Sequence, residues 1–308
     1  MSSYVHPLAC VDPEASLGDG VRVGPFAVIG AGVEIGDGTE IGAAAQIQGP
    51  TRIGRDNRIF PQAALGFEPQ DLKFRGEEVR LEVGDGNIFR EFSTVSRGTV
   101  GGGAVTRIGS QNLFMAYVHI AHDCQIGDRT VFANLATLAG HVEVQDDATV
   151  GAFCTVQQFA RIGRHAYLGA YTVLPMDALP FVKTVGVKPA VYGLNTIGLK
   201  RKGFDSARLA RLGKAVRLLT RSGLNTEQAV ARMRAELGGD PDVEALIAFV
   251  ETTRRGITKS PPRGKARGGG APGAEAGQDE SEAEEVAAAP AAAAALAAAG
   301  RRGQAGGA

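Results

Sequence analysis

Along most of this chain an aliphatic or aromatic residue returns every six positions. The first run stands at Val5, Val11, Leu17, Val23, Ile29, Ile35, Ile41, Ile47, Ile53, Ile59 and Leu65. The beat resumes at Val83, Phe89 and Val95, and again at Ile108, Phe114, Ile120, Ile126, Phe132, Leu138, Val144, Val150, Val156, Ile162, Leu168 and Leu174. Four positions after each beat the residue is small or compact, as at Ala9, Ala15, Ala27, Ala45 and Ala63. A helix repeats its apolar face at about 3.6 residues and an exposed strand at about 2, so a period of six fits neither. It fits a short strand plus a turn, with three such units closing one triangular coil of about 18 residues. The beat residue and the small residue both point into the narrow interior, and Gly, Asp or Asn serve the corners. One coil cannot bury its inner face, but a stack of coils can. The expected fold is all-β, a left-handed parallel β-helix of hexapeptide repeats, followed by a small α-helical C-terminal domain and a disordered tail.

The pattern is broken twice. Residues 66–82 and 97–107 read as excursion loops, the second containing Gly101-Gly102-Gly103. Long loops on a regular scaffold are a usual place for function. The β-helix is expected over residues 1–190, because the beat stops near Pro175, Pro180 and Pro189. A helical domain is expected over 191–258. Asp205, Asn225 or Thr226, and Asp240 before Pro241 are suitable caps for three amphipathic segments. From 259 to 308 the composition narrows to Pro, Gly, Ala, Glu and Arg, which reads as a disordered tail.

An 18-residue coil makes residues 18 apart neighbours. This places His122 under Gly140 and Gly140 under Gln158, and places Asp123 under His141 and His141 under Phe159. His119 sits just before that corner. Three of the five histidines thus gather with a carboxylate on adjacent coils. An imidazole beside a carboxylate suits a general base near neutral pH, and Gly140 could present a backbone N–H to a developing oxyanion. Two other readings compete. Taken singly the histidines are solvated corner residues, and His119, His122 and His141 together could ligate zinc.

Composition adds mostly exclusions. The formal net charge is zero, so nothing global directs the chain to nucleic acid. The start of the chain has no basic and apolar signal segment, and the Ala-rich tail is too weakly hydrophobic to span a membrane. Cys10, Cys124 and Cys154 have no metal spacing and suit a reduced, cytoplasmic protein. Cys124 and Cys154 occupy the small inward positions and are expected in the core. Residues 200–221 are strongly basic, which reads as a solvated face or as a patch for phosphate or an acidic carrier protein.

Several segments together resemble one family, the UDP-N-acetylglucosamine O-acyltransferases that open lipid A biosynthesis. They are Val5-His6-Pro7, Gln70-Asp71-Leu72-Lys73, Arg97-Gly98-Thr99, His119-Ile120-Ala121-His122-Asp123-Cys124, Leu138-Ala139-Gly140-His141-Val142, Gln158-Phe159, and Asn195 leading to Gly198-Leu199-Lys200-Arg201. The resemblance implies a cytoplasmic homotrimer with sites in clefts between subunits. It implies transfer of a 3-hydroxyacyl chain from acyl carrier protein to the glucosamine 3-hydroxyl of UDP-N-acetylglucosamine, with no metal and no cofactor. His122 would be the base, Asp123 its companion and Gly140 the oxyanion donor. Asp71 and Lys73 would reach a neighbour's cleft. His119, His141 and Gln158 would contact substrate, and Asn195 and Arg201 would hold nucleotide or acyl donor. Ala170 stands where the family sets acyl length. Gln157, Ile197 and Lys188 depart from the familiar His, Glu and His. The alternative is a related hexapeptide acyltransferase acting on a 3-amino sugar nucleotide or using acetyl-CoA.

Overall fold

The structure, a computed structural model, describes residues 2–260. Three sheets of 11, 9 and 8 strands, parallel except for one pair at the end of the first, form the walls of a prism. The first wall begins at Tyr4–Val5, the second at Cys10–Val11 and the third at Ser16–Leu17. Up to Leu174 each strand pairs with the strand three further along the chain, as Tyr4 with Arg22, Cys10 with Val28 and Ser16 with Glu34. The fold is the left-handed parallel β-helix. Most strands are two residues long, one residue facing out and the next buried. The short strands follow from the prism, whose narrow walls leave room for little more than one inward side chain before the next corner.

The interior holds the six-residue beat. Ile29, Ile47, Ile53, Ile59, Leu65, Ile120 and Leu138 are almost fully buried, and Phe89, Phe114 and Phe132 stack along the axis at 4.8 and 5.0 Å. Cys124 and Cys154 are fully buried. Burial pushes their thiols up to about 12 and about 11, so neither is a nucleophile at neutral pH.

Both insertions leave from the same corner, between the second and third walls. The first occupies the span between the strands Ala64–Phe67 and Arg80–Val83, and the second the span between Thr94–Ser96 and Val105–Ile108. Each excursion therefore ends sooner than the broken beat suggests. Arg80-Leu81-Glu82-Val83 and Val105-Thr106-Arg107-Ile108 are four-residue strands paired side by side, with Leu81, Val105 and Thr106 buried. The reason is that a strand can start before its beat residue when an earlier side chain also finds a place inside.

At the corner between the third and first walls the register is locked across both insertions. The side-chain oxygen of Asn57 accepts from the Asn87 backbone and amide, that of Asn87 from Asn112, and that of Asn112 from Thr130, all at 2.7–3.0 Å. The asparagine amides also donate to the Gly84, Gly109 and Gly127 carbonyls. This buried ladder is fully paired and bridges sequence intervals of 30, 25 and 18.

The first wall runs on past Leu174. Val182–Val185 pairs with Tyr167–Leu168 and antiparallel with Ala190–Leu194, so residues 191–194 belong to a sheet rather than to the helical part. Four helices follow, α1 Thr196–Arg201, α2 Ser206–Arg221, α3 Thr226–Leu237 and α4 Pro241–Glu251. Asp205, Asn225 and Asp240 cap α2, α3 and α4, and Asn225 forms a capping box with Gln228. Leu212, Val216, Leu219, Val230, Met233 and Leu246 are among the side chains of their shared core. Arg161 fastens this part to the prism. It donates to Asp177 and to the Phe249 carbonyl, and lies 4.2 Å over the Phe249 ring. The expected tail from 261 onward lies outside the described residues. Among the described residues no helix is long and apolar enough to cross a membrane.

Candidate active site

The corner between the second and third walls carries the chemistry. Asp123, His141 and Phe159 stand above one another there, all in the left-handed backbone region at φ of 61–64°. The His141 N–H donates to the His122 carbonyl, and the Phe159 N–H to the Gly140 carbonyl. The 18-residue stacking inferred from the beat is therefore the stacking that the backbone adopts.

His122 and Asp123 are joined side chain to side chain, Nδ1 to Oδ2 at 2.7 Å. A carboxylate can only accept, so Nδ1 carries the proton and the Nε2 lone pair of neutral His122 is left for a substrate. Asp123 is almost fully buried and held at further points. Its Oδ1 accepts from the Thr99 N–H at 2.8 Å and its Oδ2 from the Thr99 hydroxyl at 2.6 Å. Its own N–H donates to the Thr106 hydroxyl at 2.8 Å. Gly140 lies against the imidazole, where a Cβ would come within 2.5 Å of His122 Cε1. Its N–H donates no hydrogen bond among the described residues.

The neighbouring histidines are placed differently. His141 Nε2 is 3.7 Å from Asp123 Oδ2, its ring meets His122 edge-on and stacks on Phe159 at 4.4 Å. Burial holds His141 below the ordinary histidine range, against the pull of Asp123. His119 faces outward from the second wall, its Nδ1 2.7 Å from the Thr94 hydroxyl. Burial and the nearby His122 also hold it low. Both are therefore neutral near pH 7 and suited to hydrogen bonding with an uncharged sugar. Gln158 is exposed at the corner above Gly140. His122, Asp123 and His141 are the one group of three metal-capable side chains brought together among the described residues. The carboxylate there is already engaged by Thr99 and His122 Nδ1, which favours a base and its partner over a ligand set.

The first insertion folds over this corner. A cavity of about 280 Å3 is lined by Asp71, Lys73, Phe74, Val100, His141 and Phe159. Asp71 and Lys73 thus line a cavity with the His141 of their own chain, because their loop leaves from the same corner a few coils below. A larger hollow of about 810 Å3 lies on the third wall, lined by Glu82, Arg107 and Glu143 among others. Its Glu82 and Arg107 neutralise each other at 2.9 Å, and it contains no histidine.

Three residues expected at the site stand elsewhere in the single chain. Ala170 lies at the corner between the first and second walls, beside the exposed Tyr171. Asn195 caps α1, accepting from the Gly198 N–H and donating to the His165 carbonyl. That places it, with Arg201 at the end of α1, near the corner between the third and first walls. Lys202 pairs there with Asp147 at 2.6 Å. Of the departing residues, only Gln157 adjoins the His122 corner. Gln157 is exposed beside Gln158, Ile197 is on α1, and Lys188 is in the turn between Val182–Val185 and Ala190–Leu194. Thr99 and Thr106, which hold Asp123, are absent from the residues picked out by spacing. Only the Arg97-Gly98-Thr99 motif pointed to the first of them.

Comparison with known proteins places this arrangement. A family model described as Udp N-acetylglucosamine O-acyltransferase, domain 2, matches residues 177–258, and one described as bacterial transferase hexapeptide matches 14–49 and 106–140. The acyl-[acyl-carrier-protein]–UDP-N-acetylglucosamine O-acyltransferase of Thiobacillus denitrificans is 51% identical over 255 residues, 83% of this chain and 99% of that protein. The enzyme of the same name from Alkalilimnicola ehrlichii is 50% identical over the same shares. LpxA from Acinetobacter baumannii superposes with a TM-score of 0.81 at 38% identity, covering 83% of this chain and 99% of that one. The UDP-N-acetylglucosamine acyltransferase of Arabidopsis does so at 0.73 and 33%, covering 83% of this chain and 100% of that one. With half of the aligned residues identical over almost the full length of such relatives, this chain belongs to the acyl-[acyl-carrier-protein]–UDP-N-acetylglucosamine O-acyltransferase family.

Proposed function

We propose that this protein transfers a (3R)-3-hydroxyacyl chain from acyl carrier protein to the glucosamine 3-hydroxyl of UDP-N-acetylglucosamine, the first step of lipid A biosynthesis. The observation that carries this reading is the His122–Asp123 pair with a free Gly140 N–H beside it. His122 Nε2 takes the proton of the 3-hydroxyl as its oxygen attacks the thioester carbonyl. The Gly140 N–H donates to the oxyanion of the tetrahedral intermediate. Collapse breaks the C–S bond, and the imidazolium returns its proton to the leaving sulfur. The thioester supplies the activation, and the step needs no metal or cofactor. His119, His141 and Gln158, with Asp71 and Lys73 from the overlying loop, contact the sugar nucleotide.

The active unit is a homotrimer. Asn195, Arg201 and Ala170 lie at corners away from His122, so one copy's α1 must approach a neighbour's His122 corner for all of them to serve one substrate. In that cleft Asn195 and Arg201 hold nucleotide or acyl donor, and Ala170 bounds the acyl chain. The reaction is placed in the cytoplasm, which agrees with three free cysteines among the described residues. The test is mass spectrometry of the product formed from UDP-N-acetylglucosamine and a mixture of 3-hydroxyacyl carrier protein thioesters. An O-linked hydroxyacyl product is expected. Turnover only with a 3-amino sugar nucleotide, or only with acetyl-CoA, would overturn the assignment.

A further inference from the structure

The second insertion has its own task. Residues 97–104 leave the corner one coil below His122 and return through the 3-10 turn Val100–Gly102. The inner side of this loop meets the Asp123 carboxylate, while Val100 on its outer side lines the cavity. We infer that Thr99 is a positioning residue for the base, clamping Asp123 through both carboxylate oxygens, and that Gly102 keeps the space that the clamped carboxylate occupies. The inference rests on His122 being the base, as proposed above.

The geometry is specific. Thr99 uses its N–H for Oδ1 and its hydroxyl for Oδ2, at 2.8 and 2.6 Å. With both oxygens held, the carboxylate cannot rotate about its Cβ–Cγ bond, and the remaining acceptor direction on Oδ2 points at His122 Nδ1. Thr99 and Asp123 are both buried, so no solvent replaces a lost donor. Asp123 itself has a left-handed backbone, which the Thr106 hydroxyl supports by accepting its N–H. A Cβ on Gly102 would lie 2.0 Å from Asp123 Cγ. A Cβ on Gly101, next to it, would meet nothing within 4 Å. Neither glycine lies in the left-handed region, so the two differ in what an added methyl touches and not in backbone strain.

The test uses full-length Thr99→Val, Thr99→Ser, Gly102→Ala and Gly101→Ala. Two quantities are read, steady-state kinetics and the low-field NMR resonance of the His122 Nδ1 proton. That resonance is assigned by its loss in His122→Ala. Thr99→Val and Gly102→Ala are expected to lower kcat at least about tenfold with KM for the sugar nucleotide changed by no more than about twofold, and to abolish the resonance. Thr99→Ser should restore both, and Gly101→Ala should keep the resonance. If Thr99→Val does not fold, Gly102→Ala against Gly101→Ala still decides. Native kcat with an intact resonance in Thr99→Val or Gly102→Ala overturns the inference, as does an equal loss in Thr99→Ser. Native turnover by His122→Ala would instead overturn the base on which it rests.

Discussion

Two corners of one prism use polar residues in opposite ways. Between the third and first walls, Asn57, Asn87, Asn112 and Thr130 pair with one another and with the backbone until no side-chain donor or acceptor is left over. Between the second and third walls, Asp123 is as thoroughly paired, but His122 Nε2 and the Gly140 N–H have no hydrogen-bond partner among the described residues. The backbone step is the same at both. The difference is that one corner closes its hydrogen bonds within the chain, whereas the other stops one partner short. The insertions follow the same division, since both interrupt the open corner while the closed one holds register past them.

The comparison can be broken at either corner. The largest effect is expected from Gly140→Ala, whose methyl would enter the His122 imidazole. Displacing the base by a fraction of an ångström or more should lower kcat by about 10²-fold with the thermal midpoint little changed, as turnover and calorimetry will show. At the closed corner, Asn87→Ala leaves the buried Asn112 N–H without its acceptor. A loss of about 1–3 kcal/mol is expected in denaturant unfolding, with specific activity of the folded protein retained. A smaller effect is set by pH. Burial holds His119, His141 and His165 below their ordinary range. As pH falls from neutral through that range, the unfolded chain takes up protons that the folded chain refuses, so stability falls with acid and is regained as pH rises. The thermal midpoint should drop between about pH 7.5 and 5.5, and His165→Gln should flatten that slope.

Much of this was legible in the chain. The six-residue beat reports the prism because each inward side chain has little freedom of size, and the stack puts residues 18 apart in contact. That is enough to bring His122, Asp123, Gly140 and His141 together from the sequence alone. The beat is blind to what lies outside it. Residues 80–82 and 105–107 fall inside the expected loops because their strands start before the beat residue. Thr99 sits in an insertion, where repeat arithmetic assigns no neighbour. The repeat says nothing of Asp71 and Lys73, and only the three-dimensional path of their loop shows that they share a cavity with the His141 of the same chain. Conversely, Asn195, Arg201 and Ala170 carry motif signals with no information about which corner they occupy.

The central claim is that the open corner is the machine and the rest its frame. It is tested most directly by measuring acyl transfer and thermal midpoint together in His122→Ala. The account predicts turnover reduced by at least about 10²-fold, with unfolding stability within about 0.5 kcal/mol of the native protein. Turnover within about tenfold of native, in a protein that folds normally, would contradict it.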